Sequence, residues 1–169
     1  NRRLAAETRV AIGLMPKDFT DAYNIINQGI MREERALESM RVIANSDSKA
    51  NKTIDFYKEQ NQIRGQQMTK MLSDTHTELT GRPSISALGP RGVSASKKIP
   101  YNIESSEEYF SKRTRVRTNL HSIMRSEVFN FVDGKRSYYD IFNAVRAESQ
   151  SVGKFFYGTV TLEDVVKLL

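Results

Sequence analysis

The chain has 169 residues, of which 38% are hydrophobic and 27% are charged, and its formal net charge is +6. A chain of this length forms one domain or two small ones, with a core of modest size. It contains no cysteine, which excludes disulfides, thiol catalysis and cysteine-ligated metal sites. No run approaches the roughly 18 apolar residues needed to cross a bilayer.

The first 80 residues have the periodicity of amphipathic helices. Pro16 is expected to end a short first run. Two longer runs of roughly 26 and 28 residues follow, separated at residues 44–48 and closed by Gly81 as a C-terminal cap. Neither run is stable alone, so the short connection predicts an antiparallel helical hairpin over residues 1–80. An apolar stripe is expected to form its core: Phe19, Tyr23, Ile26, Ile30, Leu37, Met40, Ala44, Ile54, Tyr57, Asn61, Met68, Leu72 and Leu79.

Residues 81–103 change character, because glycine, proline and serine are frequent there and apolar periodicity is lost. This composition predicts a linker, and a solvated tether is favoured over a strap that lies across a partner domain.

Residues 104–169 are expected to form a small helical unit. Ser105 and Glu108 have the spacing of a capping box, an apolar run from Leu120 to Phe129 predicts a further helix, and an aromatic loop from Gly153 to Gly158 is expected to pack back on the unit. The fold class predicted is therefore mainly α: a long hairpin, a linker, and a winged-helix-like or three-helix unit.

Turn and cap signals punctuate this unit. Asp133 and Gly134 predict a tight turn, and Ser137 is expected to cap the next helix with Asp140 in its first turn. Thr161 is expected to cap the last helix, with Asp164 three residues on.

Catalytic motifs are missing from the sequence. Its two histidines, His76 and His121, belong to different predicted elements and to no His-Glu-x-x-His pattern. No Gly-x-Ser-x-Gly elbow or glycine-rich phosphate loop occurs either. No catalytic, cofactor-binding or metal-ligating residue is therefore assigned to this chain.

A basic string formed by Lys112, Arg113, Arg115 and Arg117 is the candidate contact for an anionic partner. Five of the six excess positive charges lie between Arg82 and Arg117. Such a string could neutralise phosphates. The last helix, however, opens with acidic residues, the wrong charge for approaching DNA. Nucleic-acid binding is therefore kept as the alternative function.

The stretch Phe131-Val-Asp-Gly-Lys-Arg-Ser137, followed by Asp140-Ile141 and by Thr161-Leu-Glu-Asp-Val-Val166, resembles the helical tail after the catalytic domain of bacterial zinc aminopeptidase-type proteins, the superfamily of leucyl aminopeptidases and glutamate carboxypeptidases. The resemblance implies a non-catalytic accessory region, with zinc only in the parent protein. It implies a periplasmic or extracellular location, because members of that family are commonly exported.

Both ends of the chain lie inside helical runs, which predicts a fragment of a longer protein. Two partners are expected from these observations: an upstream catalytic domain of the same protein, and a second copy of the chain. The function predicted is dimerisation or packing on the upstream domain.

Overall fold

A computed structural model describes the backbone of residues 2–83, 90–100 and 116–169, and side chains of the first helix from residue 18 onward. These residues are mainly helical, as the sequence predicts, and include no β-strand. The chain divides into two compact units, Asn1–Ser86 and Ala87–Leu169. The helices of the described residues are α1 (Arg2–Ala44), α2 (Ser48–Thr80), α3 (Pro90–Ser96), α4 (Ser122–Asn130), α5 (Tyr138–Val152), α6 (Lys154–Tyr157) and α7 (Leu162–Leu168).

The first unit is a long antiparallel pair formed by α1 and α2, of 43 and 33 residues. The side chain of Asp47 caps α2 by accepting hydrogen bonds from the backbone N–H groups of Lys49 and Ala50, at 2.8 and 3.0 Å. At the other end Gly81 adopts a left-handed φ of 67° and donates to the carbonyl of Thr77. Glycine is suited to this position because it has no Cβ to clash with the carbonyl.

The prediction that Pro16 ends a helix is wrong. Helix α1 runs without interruption from Arg2 to Ala44. Proline has a φ compatible with a helix and removes only its own N–H donor, so a long helix can continue through it at the cost of a kink or a lost hydrogen bond.

The second unit has one hydrophobic core, built mainly from α4, α5 and α7. Val128, Ile141, Val145 and Val165 are completely buried in it. The whole core cluster comprises Leu120, Met124, Val128, Ile141, Phe142, Val145, Val160, Val165 and Leu168.

A hydrogen-bonded turn joins α4 to α5. The side chain of Asp133 accepts from the backbone N–H groups of Lys135 and Arg136, at 2.9 and 2.8 Å, and Gly134 has a φ of 71°. Ser137 then caps α5: its Oγ accepts from the N–H of Asp140 at 3.1 Å, while the Asp140 carboxylate accepts from the N–H of Ser137 at 3.0 Å. These reciprocal bonds form a capping box.

A second side-chain cap begins α7. The Oγ1 of Thr161 accepts from the N–H of Asp164 at 3.1 Å. The buried carboxylate of Asp164 accepts from Thr161 Oγ1 at 2.7 Å and from the N–H of Asn119 at 3.1 Å. Hydrogen bonds to Asp164 therefore join the segment before α4 to the start of α7.

The segment predicted as a linker contains a helix, α3. Gly92, Ala95 and Pro100 are buried, and the N–H of Tyr138 donates to the carbonyl of Lys98 at 2.8 Å. This part of the segment is thus packed in the second unit, in place of the solvated tether expected. Pro90 stands at the first helical position, where its missing N–H costs nothing.

The aromatic loop also differs from its prediction. Residues 154–157 form a single helical turn, and of its three aromatic side chains only Tyr157 packs on the core. Phe155 is 94% exposed and Phe156 is 62% exposed, so the expectation that the loop packs back is wrong for both. The capping-box pair Ser105 and Glu108 lies outside the described residues.

Candidate docking face of the helical hairpin

The seam between α1 and α2 buries few side chains. In α2 only Ile54, Asn61 and Gly65 are buried among the described residues. The Asn61 Nδ2 atom donates to the carbonyl oxygen of Ile30 at 3.1 Å, which satisfies a polar side chain that is 7% exposed. Towards the open end of the hairpin, the rings of Phe19 and His76 lie 4.7 Å apart.

Polar contacts join the two helices along one side of this seam. Glu34 accepts from Gln62 at 3.0 Å and Glu38 accepts from Lys58 at 2.7 Å. Near the connection, Arg41 donates to Asp55 and also pairs with Glu38 at 3.0 Å. We call this side, lined by Glu34, Glu38, Arg41, Asp55, Lys58 and Gln62, the polar face.

Electrostatics on the polar face favour the charged forms of Glu38 and Arg41. Hydrogen bonds from Lys58 and then Arg41 hold the pKa of the Glu38 carboxyl below its ordinary value. The carboxylates of Asp55 and Glu38 raise the pKa of Arg41. Glu38 is therefore ionised at neutral pH and fixes the register of the two helices through solvated ion pairs.

The opposite side of the seam is apolar and exposed. Seven of the eleven exposed large hydrophobic side chains of the described hairpin lie on this side, as follows from a helical rotation of about 100° per residue. Three small residues, Ala22, Gly29 and Ala36, share this side at a spacing of seven. We call it the apolar face; its large members are Ile25, Met40 and Ile43 on α1, and Tyr57, Met68, Met71 and Leu79 on α2.

This arrangement corrects the expectation that the whole apolar stripe is core. Met40, Tyr57, Met68 and Leu79 were expected inside the hairpin and are about half exposed, at 51%, 56%, 46% and 58%. Two helices bury only the narrow strip along which they touch, so residues on the flank of the stripe stay in water.

The two histidines have structural contacts. His76 packs on Phe19, and His121 caps α4 by accepting at Nδ1 from the N–H of Ile123 at 3.3 Å. This cap could not be predicted from the sequence, because histidine is not a typical residue at the N-cap position. Within the described ranges no three potential ligands among histidine, aspartate and glutamate gather around one point.

Of the basic string, Lys112, Arg113 and Arg115 lie outside the described residues. Arg117 is described and is exposed just before α4. The turn and cap residues Asp133, Gly134, Ser137, Asp140, Thr161 and Asp164 all lie in the second unit, where they fix helix ends.

Comparisons with known proteins find no relative of this chain. No family model, no curated protein and no solved structure matches it. In the part of the chain that the structure describes, no helix combines the length and the apolar character of a membrane span.

Proposed function

We propose that this chain is a non-catalytic interaction region, whose hairpin binds a protein partner through the apolar face. The observation that carries this proposal is the concentration of exposed hydrophobic side chains on one side of a two-helix unit. A second element normally covers such a face, because leaving it in water forgoes about 25 cal/mol for each Å² of apolar surface.

The contrast between the two faces supports the same function. Ion pairs and hydrogen bonds cross the seam on the polar face, whereas methionine, isoleucine and aromatic side chains occupy the other side. Methionine side chains are flexible and polarisable, which suits them to protein contacts. A helix pair already held in register presents its apolar face without a further ordering cost.

The parent protein we propose is metallopeptidase-like, on the strength of the resemblance at residues 131–137. In such a protein the chain would act after a zinc-containing catalytic domain and would hold no zinc itself. The Asp133 turn and the Ser137 capping box give that stretch an architectural role, since both bond to the backbone. The same resemblance supports a periplasmic or extracellular location for the parent protein.

Methionine oxidation provides a direct test of the apolar face. Met40, Met68 and Met71 lie on the apolar face, whereas Met31, seven residues before Glu38, lies on the polar face and is 44% exposed. We would oxidise the protein isolated from its source under mild conditions and locate the sulfoxides by mass spectrometry. The expected result is slow oxidation of the three methionines and fast oxidation of Met31.

The exposed fractions of the four methionine side chains within the single chain make this comparison of oxidation rates strict. The three test methionines are at least as exposed as Met31 within the chain, at 51%, 46% and 68% against 44%. Oxidation of all four at similar rates in the isolated protein would contradict a covered apolar face. A separate assay of zinc-dependent aminopeptidase activity tests the parent class; its absence would overturn that class and leave the docking function standing.

The alternative function, nucleic-acid binding through Lys112, Arg113, Arg115 and Arg117, predicts binding that weakens steeply with salt. Replacing these four residues with glutamine would then abolish binding to DNA or RNA. The apolar face gives no support to this function, because nucleic-acid interfaces are rich in positive charge.

A further inference from the structure

We infer that the occupant of the apolar face is a second copy of this chain, and that two hairpins form an antiparallel four-helix bundle. In it, α1 of each copy packs on α2 of the other, around a two-fold axis parallel to the helices. The inference rests on the proposed docking function and names its partner.

The register within one hairpin determines which residues would meet. Glu34 lies opposite Gln62 and Glu38 lies opposite Lys58. The register is therefore antiparallel, so that one residue later on α1 corresponds to one residue earlier on α2. A two-fold axis parallel to the helices preserves this register between copies. Within about one residue it brings Glu33 of one copy level with Arg64 of the other.

Charge complementarity between Glu33 and Arg64 favours this arrangement; Arg32, which the same register brings level with Arg64, already has an interaction partner within its own chain. Glu33 and Arg64 lie on the apolar face near its middle, and neither forms an ion pair among the described residues. In the bundle each Glu33 faces an Arg64 of the second copy, twice by symmetry. An axis across the helices would instead stack α1 on α1 and bring the two Glu33 side chains close together, which is repulsive.

The shapes of the two helices are complementary in the same way. The small residues Ala22, Gly29 and Ala36 belong to α1, and Tyr57 and Met68 belong to α2. A Cβ atom on Gly29 would meet no atom within 4 Å, so the surface above it is open. Packing α1 on α2 of the second copy brings Met68 within about one residue of Gly29, so a large side chain lies over a small one, as interdigitated helices require.

The available area matches a stable dimer. Residues 18–44 of α1 cover roughly 40 Å at 1.5 Å per residue, and two helices side by side are roughly 20 Å wide. The face therefore offers about 800 Å² per copy, the usual size of a specific interface.

The oligomeric state of the 169-residue chain is the first test. Light scattering should give the mass of a dimer at micromolar concentration. Met40→Glu with Met71→Glu places two charges on the apolar face and should weaken self-association at least ~100-fold. The matched control, Met31→Glu on the polar face, should leave the dimer intact. A monomer at every concentration, or equal loss in the control, would overturn the inference.

Cysteine cross-linking tests the helix pairing. The chain has no native cysteine, so engineered thiols report only on their own positions. The register places Met40 of one copy within about one residue of Tyr57 of the other. Mixing Met40→Cys protein with Tyr57→Cys protein should therefore give a disulfide-linked heterodimer, and neither variant alone should cross-link. The pair Met31→Cys and Gln66→Cys, both on the polar face, is the negative control.

Charge reversal provides a test that does not depend on thiols. Glu33→Arg and Arg64→Glu should each weaken the homodimer, and mixing the two variants should restore a heterodimer, since both cross-copy pairs are then opposite in charge. Failure of the mixture to associate would contradict the proposed axis.

These outcomes distinguish a failure of the inferred partner, a second copy, from a failure of the proposed docking function. A monomeric chain whose Met40, Met68 and Met71 are nevertheless protected in the protein from its source would refute the second copy and keep the docking face. A monomeric chain with all of these methionines oxidised in both preparations would refute both.

Discussion

Ile30 packs on Gly65 so closely that a Cβ atom on residue 65 would lie 2.2 Å from the Ile30 Cδ1 atom. On the adjacent turn of α2, the side chain of Asn61 donates a hydrogen bond to the Ile30 carbonyl oxygen at 3.1 Å. One turn of α1 is thus held by a close steric contact and by a hydrogen bond, and this point anchors the register from which both faces of the hairpin follow.

Gly65→Ala is expected to destabilise the hairpin despite the better helix propensity of alanine. The substitution gains about 1 kcal/mol in propensity, but Ile30 must move from its packed position, at a cost of about 1–3 kcal/mol. Chemical denaturation followed by circular dichroism would measure the balance. In an Ile30→Ala background the clash is removed, so Gly65→Ala should become stabilising.

Gly29→Ala, measured beside Gly65→Ala in the monomeric Met40→Glu, Met71→Glu background, is the matched control, because both glycines are helical and only the Cβ at residue 65 would meet a neighbour within the chain. Its expected effect is a gain of up to about 1 kcal/mol. Equal effects of alanine at the two positions would show that the Ile30 contact does not limit the approach of the helices.

Acid should weaken the hairpin partly through Glu38. Its pKa in the folded chain is lowered from 4.5 by Lys58 and Arg41. A carboxyl with a depressed folded pKa contributes stability above its unfolded pKa and loses it as the pH falls through the folded value. Glu38→Gln should therefore flatten the pH dependence of hairpin stability below about pH 4.5.

Unfolding titrations from neutral to acidic pH would measure this effect, which should shrink at high salt because the pairs are solvated. Glu59→Gln, an exposed carboxyl on the same helix without an ion pair among the described residues, is the control. An identical acid response in the two variants would rule out the contribution of Glu38.

Local signals in the sequence were sufficient to predict where the hairpin turns. Ala44 to Ser48 interrupts the periodicity, and Gly81 supplies the left-handed cap. Both are properties of a few neighbouring residues, so they can be found without tertiary information. The effect of Pro16 could not be predicted from neighbouring residues. Whether a proline ends a helix depends on the stability of the whole helix, and α1 is stable enough to continue through it.

The apolar face could not be separated from the core by periodicity. Met40 and Ile30 both fit the apolar periodicity of α1. Of the two, only Ile30 lies near the line of contact with α2. The direction of that line depends on which residues of α2 meet α1, which a single helical pattern does not specify. Helix α3 carried one local signal, Pro90 at its first position, but its burial depends on the rest of the second unit.

Core and exposed residues of the second unit should respond differently to truncation. Ile141 is fully buried, so Ile141→Ala should cost about 2–5 kcal/mol of unfolding free energy. Phe155 is 94% exposed, and Phe155→Ser should change stability by less than about 0.5 kcal/mol. Hydrogen exchange at α4 and α5 would measure both. A large loss with Phe155→Ser would mean that the exposed ring is covered in solution.

The turn between α4 and α5 supports a final prediction. Gly134 has a φ of 71°, which costs a non-glycine residue on the order of 1 kcal/mol or more. The Ser137 cap on Asp140 contributes roughly 1 kcal/mol. Gly134→Val with Ser137→Ala should therefore lower the melting temperature of the second unit and leave the α1–α2 hairpin unchanged.

Thermal melts combined with hydrogen exchange would assign the loss to one unit. The double mutant should lose protection in α5, whereas α2 should keep its protection. An unchanged melting transition would show that neither the positive φ nor the cap limits the stability of α5, and the resemblance at residues 131–137 would then lose its structural basis.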